Sequence, residues 1–148
     1  MKYQSDYPIP AITTTAVIVV SDGTCQDKVL LVKRKNEPFK DQWCFPGGFF
    51  NQFEDARACC IREVAEETGM DVSRHCAYQP FDVISNKDRD PRGWVIDCPF
   101  LIQLDKEPQG MAGDDASEIG WFTFEEVKHM ILAFDHNLTF AHAISLID

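Results

Sequence analysis

Three carboxylates crowd into one short stretch, GFFNQFEDARACCIREVAEETGM, residues 48–70. On a helix Glu63, Glu66 and Glu67 fall at i, i+3 and i+4, within about 100° of arc. Like charges at that spacing repel. Such a helix either turns its acids to water or offers them a cation. Hard divalent ions such as Mg²⁺ or Mn²⁺ take carboxylate oxygens, and water and phosphate fill their remaining positions. The opposite arc carries Ala58, Cys60, Ile61, Val64, Ala65 and Thr68, so the helix packs one side and points acid from another. Two readings follow: a solvated acidic face, or a metal platform for a phosphate-bearing substrate.

Other residue types suited to phosphate or base contact flank this helix. Lys33 and Arg34 end an apolar run before it, and Arg89 and Arg92 sit in DRDPRG after it. Arginine's planar fork suits bidentate contact with phosphate. Trp43, Phe49, Phe50 and Trp94 offer faces on which a base could stack, or core packing. The later loop GDDASEIGW supplies further acids, Asp114, Asp115 and Glu118, which are either proton acceptors or a solvated turn.

The elements that must position these groups read as alternating strands and helices. Ile12–Val20 is dense in β-branched residues and predicts a buried strand. Lys28–Arg34 predicts a returning strand, and Trp43–Phe45 a short one. Pro46–Gly47–Gly48 frees the backbone for a close approach to a ligand. Asn51 with Glu54 resembles a capping box at a helix start, and Gly69 suits the helix stop. Tyr78–Ser85 and Trp94–Leu104 predict strands on either side of a charged turn, and Ile119–Phe122 predicts another. Thr123 with Glu126 is a second capping box, opening a helix to about Leu132. Asp135–His136–Asn137 then separates it from a last helix ending near Ile147. This order predicts an α/β domain, a mixed sheet between helical layers.

A chain of 148 residues is one domain by length, with room for a sizeable core. Its 45% hydrophobic and 26% charged content is that of an ordinary soluble domain. The net charge of -10 argues against a polymeric nucleic acid partner, which needs a basic surface. A small phosphate ligand stays open, because a metal ion inverts the local field. No apolar run reaches a membrane span, and MKYQSDYPIP lacks an apolar signal core, which predicts a cytoplasmic protein without a membrane partner. The six cysteines show no C-x-x-C pair and predict free thiols. The four histidines show no metal spacing and predict surface or capping positions.

The stretch also fits the pattern Gly-x5-Glu-x7-Arg-Glu-U-x-Glu-Glu-x-Gly-U, where U is a bulky apolar residue. Gly48, Glu54, Arg62, Glu63, Val64, Glu66, Glu67, Gly69 and Met70 match without departure. It resembles the box of the Nudix hydrolases. The resemblance implies a single Nudix hydrolase domain over residues 1–148, with the box at 48–70. It implies a Nudix-type α/β/α sandwich, with a mixed β-sheet and a loop–helix–loop catalytic motif. Mg²⁺ or Mn²⁺ would bind Glu63, Glu66, Glu67 and the Gly48 carbonyl, while Glu54 and Arg62 hold the motif together. In some relatives the general base is a box glutamate, in others an acid of a distal loop. The candidates here are Glu66, Asp115 and Glu118. Asp115 resembles the loop acid of MutT-like enzymes.

Softer motifs extend the likeness. KRKNEPFKDQWCFPGGFF, DRDPRGWVI, GDDASEIGWF and the late FDH resemble ADP-ribose pyrophosphatases and Nudix domains associated with NAD metabolism. A proline that many ADP-ribose pyrophosphatases carry beyond the box falls here on Ser85 or Asn86. On this likeness Arg34, Phe49, Arg89 and Arg92 are the candidate substrate-binding residues. The expected partner is a small nucleotide, ADP-ribose, cleaved to AMP and ribose 5-phosphate. Family members often form homodimers. Two other activities fit the box: a MutT-like hydrolase of nucleoside triphosphates, and a non-catalytic ADP-ribose sensor. Sensors typically carry a degraded box and an added DNA-binding domain, so the intact box and the length of this chain favour an enzyme.

Overall fold

The computed structural model describes residues 5–21, 23, 26–74, 78–108 and 116–147. The sheet is built around β1 (Ala11–Val20), which is buried over eight consecutive residues, Thr13–Val20. A β-branched run of this kind suits a strand covered on both faces. Along one edge β1 pairs in parallel with β6 (Val95–Leu104) over its whole length, from Ala11 against Val95 to Val20 against Leu104. The other edge is shared. β2 (Lys28–Arg34) pairs antiparallel near the end of β1, at Val19–Val29 and Val20–Lys28. The two strands then part. Into the opening fit β3 (Trp43–Cys44), paired with Val32 and Lys33, and β4 (Gly47–Phe49), paired with Thr13–Thr15. β5 (Tyr78–Pro80) extends the sheet beyond β6, and β7 (Ala116–Thr123) runs antiparallel to β2. The result is a mixed seven-stranded sheet.

Alternation along β1 sends Ala16, Ile18 and Val20 to one face and Val17 and Val19 to the other. The first set joins Cys60 and Val64 of α1 (Ala56–Thr68), with Leu30, Phe100 and Ile102. The second set joins Val127 of α2 (Phe124–Lys128) and Phe140 and Ala143 of α3 (His136–Ile144), with Leu31, Phe45 and Leu101. Helices therefore cover both faces, the α/β/α arrangement expected from the sequence. Among the described residues no helix is long and apolar enough to cross a membrane.

Three local expectations need correction. The N-cap of α1 is Asp55, whose carboxylate accepts the Ala58 N–H at 2.8 Å. Asn51 lies in the preceding turn, and its N–H donates to Glu54 Oε1 at 2.9 Å. Gly69 ends the helix as expected, at φ 75°. The helix opened by the Thr123–Glu126 capping box stops at Lys128 and does not continue to Leu132. There the Asn137 side chain takes over the backbone, accepting the Leu132 N–H and donating to the Met130 carbonyl, both at 2.9 Å. Finally, the glycines at 47 and 48 form β4 and approach protein, not open space. A Cβ on Gly47 would collide with the Thr14 carbonyl, and one on Gly48 would stand 2.5 Å from the Glu63 carboxylate.

Candidate active site

Repulsion among the acids of α1 is answered inside the motif itself. The Arg62 guanidinium donates from Nε to Glu54 Oε2 at 2.7 Å and from Nη1 to Glu63 Oε1 at 2.8 Å. Nη1 also reaches both Glu66 oxygens at 3.2 Å, and Nη2 donates to the Phe49 carbonyl at 2.9 Å. One planar fork thus ties the strand β4, the turn before α1 and two helical carboxylates. The Arg62 hydrogen bonds, with the Asn51 N–H, hold the Glu54 carboxyl down at about 2. Glu63 is half-shielded beneath Gly48, Glu66 is more open to solvent, and Glu67 borders the adjoining pocket.

Among the described residues no group of three acidic, histidine or cysteine side chains is arranged to enclose an ion. The donor chemistry nonetheless suits a hard divalent cation. The missing Cβ of Gly48 leaves its backbone against the Glu63 carboxylate, so backbone and carboxylate share one corner. Cys59 lies below that corner, its Sγ 3.9 Å from the Gly48 carbonyl and 3.6 Å from that of Phe49. Burial pushes its thiol up to about 12, so it remains a protonated donor.

The pocket beside the acids is walled by cations and rings. Thr13, Thr14 and Thr15 of β1 and Gly47–Phe49 of β4 border it. Arg34, Arg89, Arg92, Phe134 and His136 line it as well. Arg34 donates to the Pro38 carbonyl at 2.6 Å, and its Cζ stands 4.9 Å from the Phe134 ring centre. Arg92 donates to Asp90 at 3.0 and 2.8 Å and lies 4.7 Å from the Phe49 ring and 5.3 Å from that of Phe134. An adjoining pocket shares Arg34, Cys44 and Glu67 and is bordered by Lys33, Lys35 and Asn36.

The predicted site residues divide accordingly. Gly48, Glu67, Arg34, Phe49, Arg89 and Arg92 meet at one pocket, with Glu54, Arg62, Glu63 and Glu66 on its acidic side. Arg89 differs from the expectation of a phosphate-binding fork. It is 5% exposed and donates from Nε and Nη2 to both oxygens of Asp135, at 2.9 and 2.8 Å. Glu118 lies on β7 in register with Lys33, exposed, and borders neither pocket. Asp115, with Asp114, lies outside the described residues. Trp43 packs edge-on against Phe122 in the core layer. The free thiols Cys44, Cys59, Cys60 and Cys98 agree with the expectation, and Cys25 and Cys76 fall outside the described residues.

Sequence reasoning missed the segment 133–136. His136 is buried, not a surface or capping residue, and its Nδ1 accepts the Phe45 N–H at 3.1 Å. Burial holds its ring down at about 4, so it is neutral. Phe134 adopts φ 55°, a strained region for a bulky residue. The FDH tripeptide stands out in the sequence, but nothing in its spacing tells that Phe134 and His136 line the pocket while Asp135 pairs with Arg89.

Comparison with known proteins agrees with this geometry. The NUDIX domain family model matches residues 11–142. The ADP-ribose pyrophosphatase of Methanocaldococcus jannaschii is 39% identical over 120 residues, covering 80% of this chain and 68% of that protein. The ADPR responsive transcriptional repressor NtrR of Acinetobacter baylyi is 37% identical over 142 residues, covering 92% of this chain and 54% of the repressor. The chain thus spans about half the length of one relative and two thirds of the other. The NUDIX domain of Shewanella oneidensis NrtR, solved with ADP ribose, superposes with a TM-score of 0.84 at 27% identity, over 96% of this chain and 91% of that one. With the family model covering nearly the whole sheet and the acidic helix beside its pocket, the chain belongs to the NUDIX domain family.

Proposed function

We propose that the chain is a divalent-metal-dependent hydrolase of a nucleoside diphosphate-linked substrate, ADP-ribose, with AMP and ribose 5-phosphate as products. One observation supports the reading: Gly48, Phe49 and Glu67 of the intact acidic motif line the same pocket as Arg34 and Arg92, each of which lies against an aromatic ring. In hydrolysis of a diphosphate, water adds to one phosphorus and the bridging P–O bond breaks. Arg34 and Arg92 are suited to grip the phosphate oxygens, and Phe49 offers a partly exposed ring to a base. Glu63, Glu66, Glu67 and the Gly48 carbonyl are the residues to hold Mg²⁺ or Mn²⁺, which, when bound, neutralises phosphate charge and acidifies water. The proton leaving the water goes to an acid, Asp115 in this proposal, with Glu66 and Glu118 as the other candidates.

Likeness to the ADP-ribose pyrophosphatase and to an ADP-ribose-bound NUDIX domain supports this substrate. Likeness to NtrR favours a second reading, binding of ADP-ribose without turnover. A substrate panel with product identification separates them. The expected result is the highest kcat/KM for ADP-ribose, with AMP released and activity lost in chelator. A higher kcat/KM for a nucleoside triphosphate, with pyrophosphate released, would overturn the substrate. Tight ADP-ribose binding without AMP release in Mg²⁺ or Mn²⁺ would establish the sensor.

A further inference from the structure

Two cations that line the pocket, Arg34 and Arg92, share a neighbour, although Arg92 also lies 4.7 Å from the Phe49 ring. The Phe134 ring lies 4.9 Å from the Cζ of Arg34 and 5.3 Å from that of Arg92. Guanidinium groups at such distances are drawn to the electron-rich face of a ring. Neither arginine comes from the same element as Phe134. Arg34 ends β2, Arg92 lies in the turn before β6, and Phe134 precedes α3. The ring itself is fixed from behind by Phe39 at 4.8 Å and His136 at 5.5 Å.

The backbone is fixed as firmly. Ala133 donates to the Trp43 carbonyl at 2.8 Å, Asp135 binds Arg89, and His136 accepts from Phe45. Between these anchors Phe134 is held at φ 55°. A bulky residue keeps that conformation only where its surroundings over-determine it, and such strain gathers at functional sites.

We propose that Phe134 is a positioning residue: its ring holds the Arg34 and Arg92 guanidiniums together, facing one pocket, as a fork for a diphosphate. The proposal rests on the reading of the pocket as a nucleotide site. Two like charges brought close repel, and long side chains lose rotamer freedom on binding an anion. A shared aromatic face lowers both costs before the ligand arrives.

The test compares wild type, Phe134→Leu and Phe134→Tyr by calorimetry in chelator, with ADP-ribose, inorganic pyrophosphate and adenosine as probes. Leucine keeps apolar bulk and removes the ring; tyrosine restores it. Phe134→Leu should weaken ADP-ribose and pyrophosphate by the same factor, about tenfold. Adenosine binding should not change, and Phe134→Tyr should recover most of the loss. Thermal melts identify a variant that fails to fold, in which case Phe134→Met replaces leucine. Loss confined to the base-bearing probes would overturn the proposal, making the ring a base platform. Unchanged binding of all probes in Phe134→Leu would overturn it as well. If wild type binds pyrophosphate but not ADP-ribose, the substrate reading fails while the effect of Phe134 on pyrophosphate still decides this one.

Discussion

Replacing Asp97 by asparagine should change how stability depends on pH. Asp97 lies on β6 in register with Thr13 and is 1% exposed. Its Oδ1 accepts the Thr13 hydroxyl at 2.8 Å, and its Oδ2 has no hydrogen-bond partner among the described residues. Burial pushes its carboxyl from 3.8 up to about 6, against the pull of Thr13, Thr15 and the nearby Arg89 charge. The folded protein therefore binds this proton more tightly than the unfolded chain. Between the two values the folded state carries more protons, so stability rises as pH falls through 6 and levels off below 3.8. Integrating the shift from about pH 7.5 to about pH 4 gives roughly 2 kcal/mol. Other groups titrate in the same window; burial lowers His136 to about 4, which costs stability as pH falls. The difference between wild type and Asp97→Asn cancels such shared contributions, along with any fixed cost of burying the amide. Thermal or urea melts of both proteins across this range, at constant ionic strength, measure it. Wild type should gain roughly 2 kcal/mol relative to the variant, about 4–8 °C for a chain of this size. A difference that stays flat with pH, or grows in the opposite direction, would refute the reasoning.

Two shorter predictions concern the acidic side. Glu67→Gln, which removes charge and keeps shape, should lower kcat by orders of magnitude while melting within a few degrees of wild type; near-normal turnover would exclude Glu67 as a metal ligand. Gly48→Ala should push the Glu63 carboxylate out of its place, since the added Cβ would lie 2.5 Å from it; Mn²⁺ titration should then show at least tenfold weaker binding, and unchanged affinity would show that Glu63 accommodates the methyl freely.

The layers and the acidic helix were legible because their signals are local. A β-branched run, a capping box and a glycine stop each lie within a few neighbouring residues, as at Ala11–Val20, Thr123–Glu126 and Gly69. What was not legible depends on partners far along the chain. His136 is buried because Phe45, 91 residues earlier, needs an acceptor for its N–H. Arg89 lines the pocket as expected, yet its Nε and Nη2 are turned to Asp135, 46 residues later, which no local pattern signals. DRDPRG read as one basic turn, yet its two arginines meet different acids, Asp135 and Asp90. The Pro-Gly-Gly stretch read as backbone freed for a ligand; Gly47 and Gly48 do line the pocket, and sterics also fix them in a strand. Gly47 is needed because β4 presses on the Thr14 carbonyl, a contact that requires β1 and β2 to diverge first.

The charge arrangement gives the pocket a direction. Three carboxylates of the motif, Glu54, Glu63 and Glu66, lie at one guanidinium, that of Arg62, and a fourth, Glu67, lines the pocket. Arg62 settles the rotamers of three of them but leaves an excess of negative charge on this side. Arg34 and Arg92 supply positive charge to the same pocket, with Asp90 pairing with the second. A diphosphate entering alone would be drawn to the arginines and repelled by the acids. A divalent cation entering alone would be drawn to the acids and repelled by the arginines. On the proposed function each ligand makes the site more favourable for the other, because each cancels the charge that repels its neighbour.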